Sequence, residues 1–406
     1  MEGMHSSKSL PRSRRRFLSA CGRVAGTAAF MHALPAMPAL RLRAAAPVIR
    51  VHELRTISHA PDRYHGWPTL SRSQQGDLLL AWSGGREDHV CPFGQVQFMR
   101  SSDGGETWCW PRVILDSGLD DRDAGILETP SGTLLATTFT SLAYQPILER
   151  ARKEGRWDRS RLQRWEAAHA RLDAASRQSQ LGQWILRSED GGLNWSAKTP
   201  SVVNSPHGPI ALSNGRLLYA GKELWTGQRR IGVAFSEDDG RSWQWAAEIP
   251  AREGDDPAEY HELHAVEMPD RRVVVHIRNH NPSHAGETLQ CESTDGGLSW
   301  TKPRSVGVWG LPSHLLRLAD GRALMTYGHR RPPFGNQARL SEDGRSWSAP
   351  ISLSTDGASG DLGYPSSAQL TDGSLVSVWY ERLANHPKAV LRQARWSLEA
   401  LSLIHI

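Results

Sequence analysis

Apolar residues along this chain come in short runs set off by tight polar turns. Six stretches share one form, a turn followed by an apolar strand: "SQQGDLLLAW" (73–82), "TPSGTLLATT" (129–138), "LSNGRLLYAG" (212–221), "MPDRRVVVHI" (268–277), "LADGRALMTY" (318–327) and "LTDGSLVSVW" (370–379). Asn-Gly and Asp-Gly between apolar runs mark tight hairpins, whose central residues need positive φ. The copies recur about every 50–56 residues, except between the second and third. Short strands repeating at that period predict an all-β fold, a six-bladed β-propeller of four-stranded antiparallel blades. The last unit has only "KAVLRQARWSL" (388–398) as its third strand. The stretch "PVIRVHELRTI" (47–57) supplies the fourth and closes the ring, so one propeller occupies 47–400.

A second motif follows each of the first five hairpins: "SSDGGETW" (101–108), "SEDGGLNW" (188–195), "SEDDGRSW" (236–243), "STDGGLSW" (293–300) and the shorter "SEDGRSW" (341–347). It falls at the turn between the third and fourth strands. It lacks the oxygen spacing and terminal glutamate of a calcium loop. Its aspartate and hydroxyl groups are expected to bond local backbone. Trp108, Trp195, Trp243, Trp300 and Trp347 are expected to pack between blades.

The extra length of the second unit lies at 143–183. Within it, "DRSRLQRWEAAHARLDAASR" (158–177) places Leu162, Trp165, His169 and Leu172 at helical spacing, with Asp158 or Ser160 as N-cap. This predicts a helical insertion between the second and third strands. Because strands alternate in direction, the hairpin turns and the aspartate motifs share one face. The insertion and the longer loops share the other, where a site is expected.

Charge changes the picture only at the N-terminus. Residues 1–46 carry eight Lys/Arg against Glu2 alone, while the remainder holds forty basic and forty-two acidic residues, a balance of about −2. A near-neutral body gives no support for nucleic-acid binding. "SRRRFL" (13–18) resembles a twin-arginine export motif, so 1–46 is expected to be a signal peptide that sends the protein to the periplasm or beyond. The weakly apolar run after it contains Arg23 and is too broken for stable membrane insertion. Cys91, Cys109 and Cys291 follow the signal, an odd number that allows at most one bridge, Cys91 and Cys109 being nearest in sequence. The last six residues, "LSLIHI" (401–406), match a translated library-preparation adaptor and are expected to be a scar.

The innermost strands bring chemistry to the axis. Counting nine residues back from the hairpin glycine gives Trp67, Asp123 and Tyr364 in blades 1, 2 and 6. The same count from Arg271, which replaces the glycine in blade 4, gives Glu262. His207 and His314 fall one or two positions further on in blades 3 and 5. The far ends of the second strands offer Arg86, Lys222, Arg278, His329, Arg330, Arg331 and Glu381. A tyrosine, carboxylates and cations converging on one axis suit a small acidic ligand. "HELH" (261–264) is not a zinc motif, since His261 and His264 point to opposite faces of a strand. No metal and no cofactor is expected.

The aspartate motif resembles the Asp box, and the six-fold pattern resembles the sialidases, over essentially the whole chain after residue 47. "GYPSSAQLTDGSLVSVWYE" resembles the segment with the sialidase tyrosine nucleophile, which implies that role for Tyr364 and an arginine-bracing role for Glu381. "HELHAVEMPDRRVVVHIRN" resembles the segment with the glutamate that activates the tyrosine. It implies Glu262 in that role and Arg278 as a carboxylate-binding arginine. "LLLAWSGGR" resembles the segment ending in a sugar-contacting arginine, here Arg86. Arg330 or Arg331 would supply another carboxylate arginine. Asp123 lies among these groups as a further substrate contact.

The sequence departs from the resemblance at two places. Sialidases carry an arginine two residues before a proline in the first blade; in "YHGWPTL" that place holds Gly66, with His65 beside it as a partial substitute. The loop that should carry the general acid reads "EDHVCPFGQ", so the role falls to Glu87, Asp88 or His89, and Asp88 is assigned here. The resemblance implies an exported retaining exo-glycosidase acting on a terminal acidic sugar of a glycan or glycoconjugate. Two other readings stand beside it. One is a hydrolase or lyase for another glycan on the same face; the other is a non-catalytic carbohydrate-binding propeller.

Overall fold

The computed structural model describes residues 48–399 except 226–227. The expected signal peptide and the terminal six residues lie outside the described residues. Six four-stranded antiparallel sheets follow one another along the chain. Blade 1 is Tyr64–Arg72, Leu78–Arg86, Gln95–Ser101 and Arg112–Leu115. Blade 2 begins with Asp120–Glu128 and Leu134–Ser141, and blade 4 with Tyr260–Glu267 and Val273–Asn279. Blade 6 runs Leu362–Gln369, Leu375–Glu381 and Val390–Leu398, and its outer strand is Ile49–Thr56 from the other end of the chain. Ile49 lies opposite Leu398 and Thr56 opposite Arg392, so the ring closes as the sequence predicts.

Innermost strands of adjacent blades pack side by side around the axis. Second strands have a blade on each face and read as nearly continuous apolar runs, buried along their length in Leu375–Glu381 and Leu217–Lys222. All six hairpin turns hold a residue at positive φ. Five are glycines, and Arg271 takes the same conformation at φ 64°.

The aspartate motifs are turn locks. In the first, Ser101 Oγ donates to Asp103 at 2.7 Å and accepts from Gly105 N–H, while Thr107 N–H and Oγ1 both donate to Asp103. The motifs at 188, 236 and 293 repeat this pattern. These bonds outweigh what burial costs the carboxylate and hold Asp103, Asp190, Asp238 and Asp295 down at about 2. Trp108 reaches Gln393 of blade 6, Trp195 packs on Phe98 of blade 1, and Trp347 reaches Gln290 of blade 4. The motif therefore fastens each of these blades to the one before it.

The insertion is helical but not a single helix. It forms α1 (Gln145–Glu154), α2 (Arg159–Ala170) and α3 (Ala174–Gln180). Asp158 caps α2 through Arg161 N–H. Asp173 caps α3 through Ser176 N–H, which ends the longer expected helix near Leu172. Tyr144, Leu148 and Trp165 bury against Cys91, Leu119 and Phe93, so the insertion lies on the loop that follows Arg86. The bridge considered between Cys91 and Cys109 is not formed: Cys91, Cys109 and Cys291 are all free thiols. No helix among the described residues is long and apolar enough to cross a membrane.

Candidate active site

Four innermost strands break register at the same place. Their pairing slips at Gly66/Thr69, Arg122/Gly125, His261/His264 and Gly363/Ser366. The break in each strand contains a non-glycine residue in the left-handed region: Trp67 (φ 54°), Asp123 (φ 51°), Glu262 (φ 46°) and Tyr364 (φ 54°). These are the four residues reached by the count of nine. A bulge re-aims one side chain out of the alternating pattern. Such backbone costs about 1–3 kcal/mol per residue and persists where the surroundings enforce it.

Tyr364 and Glu262 meet directly. Tyr364 Oη donates to Glu262 Oε1 at 2.5 Å, and Arg278 Nη1 donates to Glu262 Oε2 at 2.5 Å and to Tyr364 Oη at 3.3 Å. Burial raises the phenol well above its ordinary value, and the Glu262 charge adds to that. Burial pushes Glu262 up as well, but the Arg278 charge and the bonds from Tyr364 and Arg278 outweigh it, so its carboxyl sits below the usual range. The proton therefore rests on Tyr364. Arg330 lies over the Tyr364 ring, 5.8 Å from its centroid, and bonds Leu362 O through Nε. Among the described residues nothing pairs with its two terminal nitrogens.

Asp123 stands across from this pair. It is 8% exposed, and no hydrogen bond reaches it from the described residues. Burial raises its carboxyl to about 7, the Arg122 charge offsetting part of this and Glu262 adding to it. With Asn204, Lys222, His261 and Glu262 it lines a cavity of about 130 Å³. Burial lowers Lys222 to about 8 and His261 to about 4. Trp67 fills the fourth bulge and is flanked by two guanidinium groups, Arg122 at 4.4 Å and Arg86 at 4.8 Å from its ring. Arg122 was not singled out by sequence; its position next to the counted residue Asp123 is the signal that could have found it.

A family model described as a BNR repeat-like domain matches residues 165–377. The chain belongs to that family. It is similar in shape to a Dyadobacter fermentans protein of unknown function, at 22% identity and TM-score 0.70 over 86% of this chain and 99% of that one. The intramolecular trans-sialidase of Ruminococcus gnavus matches at 15% identity and TM-score 0.57, over 85% of this chain and 96% of its own. The NanB sialidase of Streptococcus pneumoniae matches at 13% and 0.57, over 86% and 70%. The chain is thus a BNR-repeat protein, and at these identities the likenesses to the two sialidase structures show the fold.

Within this BNR-repeat propeller, several expected site residues are placed elsewhere. Arg86 does not face the cleft: its side chain is 0% exposed and held by Asp120 at 2.7 Å, Ser83 and the carbonyls of Asp121, Asp88 and His89. Those partners use the donors that a sugar would need. His65 is buried with its ring 6.3 Å from that of Trp82, and its Nδ1–H donates to Arg63 O; burial lowers it to about 4. It does not take the place of an arginine at 66. Glu381 is fully buried and does brace an arginine, Arg392 at 2.7 Å, but offers nothing to a ligand. Arg331 points outward and stacks on Trp309 at 3.7 Å. Asp88 binds Arg161 of the insertion at 3.3 Å and lies 3.7 Å from Arg382, which follows the second strand of blade 6.

His207, His261, His264 and His314 divide into two groups. His207, His264 and His314 form a buried cluster beneath Tyr364, with rings 4.5–5.3 Å apart. Burial lowers all three well below the ordinary value. His261 pairs instead with His280 and Glu259, whose ligand atoms lie within 4.8 Å of one another. Lys222 Nζ stands 3.4 Å from His261 Nε2, a cation that opposes a metal there.

Proposed function

We propose that this protein is a retaining exo-glycosidase that removes a terminal acidic sugar, with Tyr364 as nucleophile and Glu262 as its base. The observation that carries this reading is the Tyr364–Glu262–Arg278 constellation beneath Arg330, whose terminal nitrogens have no partner among the described residues. A sugar whose carboxylate sits on the reacting carbon repels a carboxylate nucleophile, and a neutral phenol avoids that. Arginines hold such a carboxylate through paired hydrogen bonds.

Binding and activation are coupled through Arg278. In the resting site its charge stabilises ionised Glu262, which is then a weak base. A substrate carboxylate that engages Arg278 and Arg330 draws that charge away, so Glu262 becomes more basic as Tyr364 attacks. Tyr364 Oη bonds to the anomeric carbon, its proton passes to Glu262, and the glycosidic oxygen leaves with a proton from an acid. Water then displaces Tyr364, with overall retention.

One observation favours an acidic sugar other than sialic acid. A Cβ at Gly66 would stand 3.1 Å from Tyr64 Cε1, so a side chain there would press on the Tyr64 ring, and the chain carries none. Two arginines, not three, then approach Tyr364. An acidic deoxysugar cap with its carboxylate on the reacting carbon fits that reduced set and keeps the reason for a neutral nucleophile. The "SRRRFL" stretch supports action outside the cytoplasm.

The test is hydrolysis of a panel of chromogenic sialosides, uronosides and acidic deoxysugar glycosides. Turnover of an acidic member with retained anomeric configuration is expected. Sugar binding without turnover across the panel overturns the enzymatic reading.

A further inference from the structure

We propose that His89, oriented by Asp361 and Tyr64, is the acid–base residue of this site. The inference rests on the glycosidase reading above and supplies the acid it needs.

The three polar residues after Arg86 have different fates. Glu87 is tied to Arg161 at 2.8 Å and Arg164 at 3.2 Å on α2. Asp88 faces Arg161 and Arg382 and accepts from His89 N–H at 2.9 Å. Both carboxylates are committed to arginines. His89 is left with its side chain 45% exposed.

Its ring is oriented from one side only. His89 Nδ1 lies 2.7 Å from Tyr64 Oη and 3.1 Å from Asp361 Oδ1, while Tyr64 Oη donates to Asp361 Oδ1 at 2.8 Å. With the phenol proton given to Asp361, the Nδ1 proton is the donor to both oxygens, and the network assigns this tautomer. Nε2 has no partner among the described residues. The carboxylate also binds Arg382 at 3.0 Å. Burial pushes Asp361 up, but the bonds from His89, Arg382 and Tyr64 hold it well below the usual carboxylate range. An ionised carboxylate behind Nδ1 with Nε2 free is the arrangement that lets an imidazole give and take a proton. The ring stands edge-on to Trp67 at 5.0 Å, and Trp67 is 6.4 Å from Tyr364, so acid and nucleophile flank one indole.

The proton balance closes. As Tyr364 Oη bonds to the anomeric carbon, the glycosidic bond breaks and its electron pair stays on the leaving oxygen. That oxygen takes the proton from His89 Nε2, and Asp361 stabilises the imidazolium before that transfer. In the second step neutral His89 takes a proton from the attacking water, and Tyr364 recovers its own from Glu262. The insertion contributes through Arg161, which binds both Glu87 and Asp88 and so fixes the backbone that carries His89.

The experiment compares wild type, His89→Asn and Asp361→Asn on acidic-sugar glycosides with leaving groups from dinitrophenol to a simple alcohol. His89→Asn should lower kcat/KM for the alkyl glycoside by about 10²–10⁴-fold and leave kcat/KM for the dinitrophenyl glycoside nearly unchanged, while kcat for the latter falls because the second step has lost its base. Asp361, a positioning residue, should give a smaller loss with the same steepened dependence on leaving group. Thermal unfolding of both variants identifies any loss of fold. A leaving-group dependence identical to wild type in the folded variants overturns the assignment while leaving Tyr364 and Glu262 in place. A wild type that cleaves no member of the panel overturns both readings.

Discussion

Tyr364 Oη and Glu262 Oε1 are 2.5 Å apart although 102 residues separate them in the chain. Two equivalent bulges, one in blade 6 and one in blade 4, bring them together. The contact matters because both groups are held away from their ordinary titration ranges in the directions that keep the proton on the phenol.

Removing either partner should separate their roles. Tyr364→Phe should abolish a covalent sugar–protein adduct formed with a slow fluorinated substrate and detected by mass spectrometry. Glu262→Gln should still form the adduct, about 10²–10⁴-fold more slowly. An adduct on another residue in Tyr364→Phe would remove Tyr364 from the mechanism.

Arg278 is predicted to be structural as well as functional. Replacing it by Met leaves the largely buried Glu262 without its nearest counter-charge, which should cost up to about 3 kcal/mol in urea unfolding. The double variant Arg278→Met/Glu262→Gln should regain most of that loss. Equal destabilisation in the single and double variants would show that the two charges are not coupled.

Asp123 should make stability fall with rising pH. Its folded value of about 7 lies above the unfolded value of 3.8, so the native state holds the proton more tightly. Its contribution is least unfavourable below the unfolded value and worsens as pH rises through the folded one. Moving that carboxyl from 3.8 to about 7 corresponds to about 4 kcal/mol. Asp123→Asn, neutral at every pH, should raise the melting temperature at pH 8 and match wild type near pH 4. An equal difference at both pH values would place the effect in packing rather than ionisation.

The reach of the sequence depends on what sets each contact. A fixed distance along one strand takes the chain from hairpin to axis, so counting from Gly76, Gly132, Arg271 and Gly373 located all four bulged residues. The closing strand was legible because blade 6 lacked a partner and 47–57 had the right pattern. The burial of Arg86 is not legible in its own strand because its partner, Asp120, begins the next blade. The His89–Asp361 pair spans 272 residues and joins two loops with no period to read. Strand alternation predicts His261 and His264 on opposite faces, but the bulge at Glu262 breaks that alternation, and the partners His280 and His314 depend on tertiary packing.

Ring closure gives the last prediction. Ile49 and Leu54 pack into the cluster around Trp379 and Trp396, and Ile49–Thr56 covers the edge of Val390–Leu398. Deleting 49–56 removes two apolar side chains from that cluster, about 3–4 kcal/mol if each contributes near 2. It also exposes an apolar strand edge that can pair with other chains. The melting temperature should fall by about 10 °C, at a few degrees per kcal/mol for a domain of this size, and light scattering should rise. A peptide of residues 47–57 added in trans should restore both by adding the missing strand, because backbone pairing carries such complementation. A scrambled peptide should do neither. A deletion protein that melts with wild type and does not scatter would show that blade 6 is stable with three strands and that the N-terminal strand is not the closure of the ring.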